Sequence, residues 1–451
     1  MNVKNLLALI CSLGFVVFHL LVDSHYRPNA DDFAGMFYAS QGLPGIGYAS
    51  RFYMEWEGPF LSMIVQGLWM RALYVGIPGG IIITTIKVLF LLSSVYAFSG
   101  LLQFLNGRKN LAVAVIAASV TTTTLYLISS SHDEIWHWVM GTVVYVHPQI
   151  ALMLAFGLLL RKKFMLALLP LAYIMQSRAT YAVLFLGLFT LITAISWIYK
   201  SSWRKSITLA NVFLLLCFLV YLLAPGNANR MSPEGFDFAH YLHEYKREVK
   251  NVLLSFNIAK LDRILIGVLA IIPMLPNAKV LDRLPNKLWI ATPALAYLGF
   301  VLIHAAIFVY ATGYGAWHRV ISMHTLLFFI VCLFYAYTTY HWLLNNQLKQ
   351  KIERFTVPLA AILLMFKMYQ PISNQLKSGK AFAEAYDARS EVIFSFSGGV
   401  SDTLYVNALP KPGVLHYWEL SEDVGNWIND DFRVRYDIPF QVALRKEETH
   451  D

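Results

Sequence analysis

The chain has 451 residues, 57% of them hydrophobic and 14% charged, against about 25% charged in an average soluble protein. Its net charge of +9 is unevenly spread: residues 371–451 carry 8 Lys/Arg and 13 Asp/Glu, while the first 370 carry 28 and 14. Soluble enzymes, nucleic-acid binders and disordered scaffolds are excluded, and an α-helical polytopic membrane protein with basic cytoplasmic loops is expected.

In chain order, apolar runs fall near 5–22, 59–76, 81–105, 111–130, 148–160, 164–176, 181–199, 207–224, 263–277, 288–311, 319–343 and 355–370. No small-residue cleavage site closes the first run, so it is expected to be a retained span rather than a signal peptide. Cys11, Cys217 and Cys332 all lie in apolar runs, which points to neither a disulfide nor a zinc framework. Basic clusters occupy the loops at 108–109, 161–163, 200–205, 279–287 and 349–354. If the run at 59–76 lies along the membrane surface, all five clusters share the side of Lys4, as the positive-inside bias requires. Gly58-Pro59, Arg71 and Pro78-Gly79-Gly80 suit such an interfacial helix. About eleven spans follow, with the N-terminus cytoplasmic and the C-terminus outside. The runs 148–160 and 164–176 are short for a bilayer of about 30 Å. Either the first extends backwards through Val143, or the two form a hairpin that does not cross.

This orientation divides the chain into a membrane domain, 1–370, with a first outer loop over 23–80, and a small extracytoplasmic α+β domain, 371–451. Helix is expected at 383–391, and strands at 391–396, 403–408, 414–419 and 440–444. The polar segments 23–58, 131–147, 176–180, 225–262 and 312–318 gather on the same outer face as the C-terminal part.

Several of these segments carry chemistry. Asp31 and Asp32 follow the first span, and neighbouring carboxylates raise one another's pKa, which tunes a general base. The plainer reading is a solvated loop with a helix N-cap. Glu55-Trp56-Glu57 alternates acids with an aromatic ring, as sugar-binding surfaces do, although Tyr and Trp also populate membrane interfaces. His132, Trp136 and His137 belong to a His/Asp/Glu-rich stretch. Its histidines are five apart, where the zincin helix needs four, so a polar rim over a cavity is expected rather than a metal site. Asn227 and Arg230 close the turn Pro225-Gly226-Asn227-Ala228-Asn229-Arg230. His318 and Arg319 open a late span, and Arg178 lies at a similar level. Guanidinium groups at the outer face suit phosphate, in a lipid headgroup or a substrate. Lys87, inside a span, either snorkels or faces a polar cavity. In the tail, Asp423, Trp427, Asp430 and Asp431 are candidate acceptor contacts.

Taken together, Asp31-Asp32, Tyr53 to Pro59, Trp138 to Tyr145, Pro225 to Arg230, His318-Arg319, Tyr386 to Arg389 and Asp423 to Asp431 resemble bacterial membrane glycosyltransferases of the GT-C type. Glu57-Gly58-Pro59 departs from the Asn-Gly-Arg common in that group, and this bears on substrate choice. The resemblance implies a protein of the bacterial cytoplasmic membrane. It would transfer a sugar from a polyprenyl-phosphate donor to an extracytoplasmic glycan or lipid acceptor, with inversion. Asp31 or Asp32 would be the base, Arg178, Arg230, Arg319 and His318 would hold the donor phosphate, and Glu55, Trp56, Glu57, His132, Trp136, His137, Tyr145 and Asn227 the sugar or acceptor. Neither a cofactor nor an essential metal is expected, because fixed guanidinium groups can neutralise a monophosphate leaving group. The partners expected are the lipid-linked sugar, its acceptor and membrane lipids. The competing readings are a transporter or flippase of a lipid-linked glycan, and a membrane acyltransferase using His304 or His324.

Overall fold

A computed structural model describes residues 3–107, 110–198, 200, 204–230, 238–255, 258–276, 288–312, 321–343, 346–370 and 372–446. The first half comprises α1 (Val3–Asp23), α2 (Asp31–Ser40), α3 (Ile46–Glu55), α4 (Phe60–Tyr74), α5 (Gly79–Asn106), α6 (Leu111–Ile128), α7 (His132–Trp136), α8 (Val139–Leu160), α9 (Phe164–Met175), α10 (Ala179–Ile198) and α11 (Arg204–Leu222). The second half comprises α12 (Pro225–Arg230), α13 (Phe238–Leu254), α14 (Ile258–Ile271), α15 (Leu288–Thr312), α16 (Ser322–Leu343), α17 (Asn346–Tyr369), α18 (Ile372–Ser395), β1 (Thr403–Val406), α19 (Trp427–Tyr436) and β2 (Gln441–Leu444).

The protein is a multi-pass, mostly α-helical membrane protein. Among the described residues, nine helical stretches are long and apolar enough to cross a bilayer. The apolar run at 148–160 belongs to a helix of 22 residues that begins at Val139, about 33 Å long and sufficient to span. Its neighbour α9 has 12 residues, and α14 has 14, so on length alone both fall short of about 20. A count of eleven therefore requires both of these to cross.

At the centre stands α6, packed against α1, α5, α14 and α17. Its four consecutive threonines, Thr121 to Thr124, are all buried. Thr122 returns its hydroxyl to the Ala118 carbonyl at 2.8 Å, which satisfies the polar atom inside the helix. Opposite them, a Cβ added at Gly267 would come within 2.4 Å of the Thr124 hydroxyl, so α14 can lie this close only with glycine there. α5 and α8 make a second intimate pair, crowned by Arg161, which donates to the carbonyls of Tyr96 and Gly157 at 3.0 and 2.8 Å.

The first loop is helical. α4 packs on α2 and α3, and Arg71 on α4 donates to the Ser40 carbonyl at 3.1 Å. The C-terminal region is a small β/α unit whose two strands are parallel, with Thr403 opposite Gln441. Two of the expected strands do not form. Residues 391–395 continue α18, where Ile393 is buried on the helix face, and no strand covers 414–419. The β-favouring side chains of 391–396 are overruled by tertiary packing, as is common for short segments.

The C-terminal region docks on the first loop. Arg27 grips Asp387 through its Nε at 2.7 Å and Asn29 donates to the His416 carbonyl at 3.2 Å. Tyr386 donates to the Pro28 carbonyl at 3.2 Å, and Phe33 meets Phe432 edge to face at 5.2 Å. These contacts place 23–33 and the tail at the same end of the helix bundle.

Candidate functional site

Three groups of side chains meet at that end. The lowest is built where α1 ends. His19 and Asp23 are four residues apart, on one face of the helix. They face Lys87 of α5, and the Gly79-Gly80 start of α5 permits this closeness: a Cβ on Gly80 would lie 1.9 Å from the Asp23 carbonyl. The Lys87 ammonium lies 2.8 Å from Asp23 Oδ2 and 3.1 Å from Oδ1. It donates to His19 Nδ1 at 2.8 Å and sits 3.4 Å from His137 Nδ1. Thr84 donates to Asp23 at 3.1 Å. His137 Nδ1 donates to Asp23 Oδ1 at 2.6 Å, and its Nε2 accepts from the Tyr126 hydroxyl at 3.2 Å. This is the pattern of a neutral imidazole, and it agrees with burial and then the Lys87 charge holding His137 below its ordinary range. His19, Asp23, Lys87 and His137 are all 0% exposed.

Directly along the chain lies Asp32, also fully buried. Oδ2 accepts from the Tyr26 hydroxyl and from the Asn29 N–H at 3.2 Å, and Oδ1 from the Met140 N–H at 3.3 Å. Burial pushes its pKa up to about 7, although these donors oppose the shift. The preceding Ala30 has φ +40°, a conformation that costs a non-glycine residue on the order of 1–3 kcal/mol and survives only where surrounding contacts enforce it. Asp31 is half-buried and faces α19, where burial, then the charges of Asp31 and Asp430, push Asp431 up to about 6. On a helix, successive side chains diverge by about 100°, so Asp32 turns into the core and Asp31 away from it.

A raised folded-state pKa for an acid means that the native state binds the proton more tightly than the unfolded chain. The contribution of Asp32 to stability is therefore full below about pH 4 and lost as pH rises through about 7. Melting of the detergent-solubilised protein from pH 4 to 8 should show this decline, and Asp32→Asn should flatten it. Equal pH slopes in the two proteins would contradict the burial of an ionisable Asp32.

The third group surrounds Arg178. Glu57 pairs with it at 3.3 Å, the arginine side chain remaining 29% exposed, and the guanidinium lies 5.7 Å from the Tyr145 ring centre. α12 clasps the segment that carries Glu57. Asn227 accepts from the Gly58 N–H at 2.9 Å and donates to the Tyr221 carbonyl at 2.7 Å, and Asn229 donates to the Glu55 carbonyl at 2.9 Å. Gly226 lies so close that a Cβ would meet the Trp56 nitrogen at 2.5 Å. Arg178, Ser177, Gln66, Met63 and Ser62 line a small cavity of ≈ 10 Å³, room for about one water molecule. Gln66 donates to the Tyr48 hydroxyl at 2.8 Å. Burial and, against that hydrogen bond, the charges of Asp31, Glu57 and Asp32 raise the Tyr48 phenol. Tyr48 thus stands between the two carboxylates of the first loop and the arginine cavity.

The expected site residues are sorted by this geometry. Glu57, Tyr145 and Asn227 belong to the Arg178 group, while Asp31 lies on the α2 side, beside Asp431. Glu55 is exposed and paired with Arg51 at 3.0 Å, and Trp56 projects at the rim, 54% exposed. His132 is half-buried, edge to face with Tyr126 at 5.2 Å, and burial holds its pKa down to about 4. Trp136, only 2% exposed, packs against Phe90 and Tyr126, so its ring is filled by protein rather than open to a sugar. His137 likewise belongs to the buried network, not to an open rim. His318 and Arg319 lie outside the described residues, as does the side chain of Arg230. In the tail, Trp427 is 45% exposed and meets Trp418 edge to face at 5.9 Å.

His19 and Asp23 carry chemistry that the sequence reading passed over. The available signal was their four-residue spacing inside an apolar run, since ionisable groups in spans are rarely idle. His19, Asp23 and His137 also form a convergent set of donor atoms, all within 4.8 Å of one another, of the kind that binds a metal ion. Lys87 places its own ammonium among those atoms, so a cation is already supplied by the chain. In comparison with known proteins, the chain matches no family model, no curated protein and no solved structure.

Proposed function

We propose that this membrane protein is a GT-C-type glycosyltransferase that moves a sugar from a polyprenyl-phosphate donor to an extracytoplasmic glycan or lipid acceptor. The observation that supports the reading is a partly exposed arginine, paired with Glu57, and a half-buried aspartate, Asp31, both on segments near the end of the helix bundle. The lipid tail of such a donor lies in the bilayer, its phosphate at headgroup depth, and its sugar above. A guanidinium and a carboxylate near that end meet those needs. The Arg178 end is assigned to the extracytoplasmic face on the positive-inside bias of the Lys/Arg-rich segments of the sequence, with α4 as the interfacial helix and 371–451 as the outer domain.

In this mechanism Asp31 takes the proton of an acceptor hydroxyl as that oxygen bonds the anomeric carbon. The bond from that carbon to the phosphate oxygen breaks on the opposite face, and configuration inverts. The phosphate leaves with the electron pair, its charge stabilised by Arg178. Asp32, with both oxygens occupied by Tyr26, Asn29 and Met140, anchors the start of α2 instead. Glu57 orients Arg178, while Tyr145, Trp56 and Asn227 shape the walls. Arg230, Arg319 and His318 are proposed as further phosphate ligands.

Native mass spectrometry of the solubilised chain with undecaprenyl phosphate tests the arginine. Arg178→Gln should weaken retention about tenfold or more, the loss expected for charge-assisted hydrogen bonds. Equal retention by the variant would remove Arg178 from the donor site. A lipid-glycan transporter is the second reading, favoured by the ionisable network inside the spans. Transbilayer movement of a lipid-linked glycan without any sugar transfer would select it.

A further inference from the structure

His19, Asp23, Lys87 and His137 touch no substrate in the mechanism above, yet burying four ionisable groups at the end of the spans is costly unless they serve something. What they serve lies a few residues along the chain. The Tyr26 N–H bonds to the Asp23 carbonyl at 3.0 Å, carrying the turn through Asn29 to Asp32. His137 leads into Met140, the other donor to Asp32. Asp23 and His137 come from segments far apart in sequence, and they meet at the Asp23 carboxylate, which takes the His137 Nδ1–H at 2.6 Å and holds the Lys87 ammonium at 2.8 and 3.1 Å.

We propose that Lys87 is a positioning residue of the candidate site: its ammonium, held by His19 and Asp23, fixes the Asp23 carboxylate to which His137 donates, and through it segments 23–29 and 137–140, the two that hold the Asp32 carboxylate and so aim Asp31. This inference rests on the glycosyltransferase reading. An ammonium bonded to several fixed acceptors constrains direction as well as distance, which an apolar side chain of equal volume does not. A displacement of about 1 Å in a reacting group can cost a hundredfold in rate, so the backbone under Asp31 needs such a constraint. The cation is internal and permanent, where the same donor set would otherwise need a metal ion.

The test compares the full-length wild-type chain with Lys87→Met and Lys87→Arg. In hydrogen exchange, the amides of Asn29 and Met140 should exchange at least tenfold faster in Lys87→Met and recover in Lys87→Arg. In sugar transfer from a polyprenyl-phosphate donor mixture, Lys87→Met should lower kcat tenfold or more with donor KM within twofold, and Lys87→Arg should restore part of it. Should Lys87→Met fail to fold, His137→Gln, which keeps the Lys87–Asp23 pair, is expected to accelerate exchange at Met140 alone. Unchanged exchange at both amides overturns the positioning role, and faster exchange with unchanged kcat overturns its link to the site. If the wild-type chain transfers no sugar, the glycosyltransferase reading falls, and the exchange pattern by itself upholds or overturns the hold on Asp32.

Discussion

Asp31→Asn should reduce sugar transfer by about a thousandfold, within the range of a lost general base, and leave the melting temperature nearly unchanged. The amide keeps the shape of the side chain but accepts a proton far less readily. Asp31 is half-buried beside Asp431, so neutralising it removes a like-charge contact and should not harm the fold. Asp32→Asn should behave differently. Its two oxygens accept three hydrogen bonds, and an amide that turns its NH₂ toward any of those donors loses that bond. Stability at neutral pH and activity should shift together in that variant. The measurement is incorporation of labelled sugar from a polyprenyl-phosphate-sugar mixture into lipid and glycan fractions, with wild type and both variants at equal folded concentration. Near-normal turnover by Asp31→Asn would reject it as the base. Loss of transfer in Asp32→Asn at unchanged stability would move the role to that residue.

Asp23→Leu should destabilise the protein by about 3–5 kcal/mol, the cost of stripping one partner from a buried ion pair. Lys87, fully buried, would lose its only carboxylate among the described residues, and Thr84 and His137 would each lose an acceptor. The double variant Asp23→Leu/Lys87→Met should recover much of the loss, because removing both charges also removes their desolvation cost. Unfolding in mixed detergent, arranged as a double-mutant cycle, reads the coupling directly. Strict additivity of the two single changes would mean that the ammonium and the carboxylate do not depend on one another. The same cycle with Asp31→Asn as the second variant should be additive in stability, since Asp31 is half-buried and turned away from the core in which Lys87 is enclosed.

Much of the architecture is legible in the sequence. The apolar runs at 81–105, 111–130 and 181–199 correspond to α5, α6 and α10, because roughly 20 apolar residues in a row have few soluble alternatives. The helical start at Asp31, with acids in its first turn, follows from the favourable interaction of carboxylates with a helix N-terminus. Harder to read was the segment 391–396. Its Val, Ile and Phe favour a strand, and its helical state comes from the packing of Ile393 rather than from its own preference. The difference between Asp31 and Asp32 was equally hidden, since it depends on which way α2 is rolled against Tyr26 and Met140.

The sequence by itself determined that this chain lives in a membrane, and which of its segments are apolar, basic or acidic. These are sums over neighbouring residues, insensitive to what lies elsewhere in the chain. Only the tertiary structure decided that Asp23 meets Lys87 and His137, that Glu57 meets Arg178, and that Asn29 meets the backbone of His416. Each of those contacts joins residues from 64 to 387 positions apart. Over such separations, pairing is selected by how whole helices pack, and no local pattern encodes it.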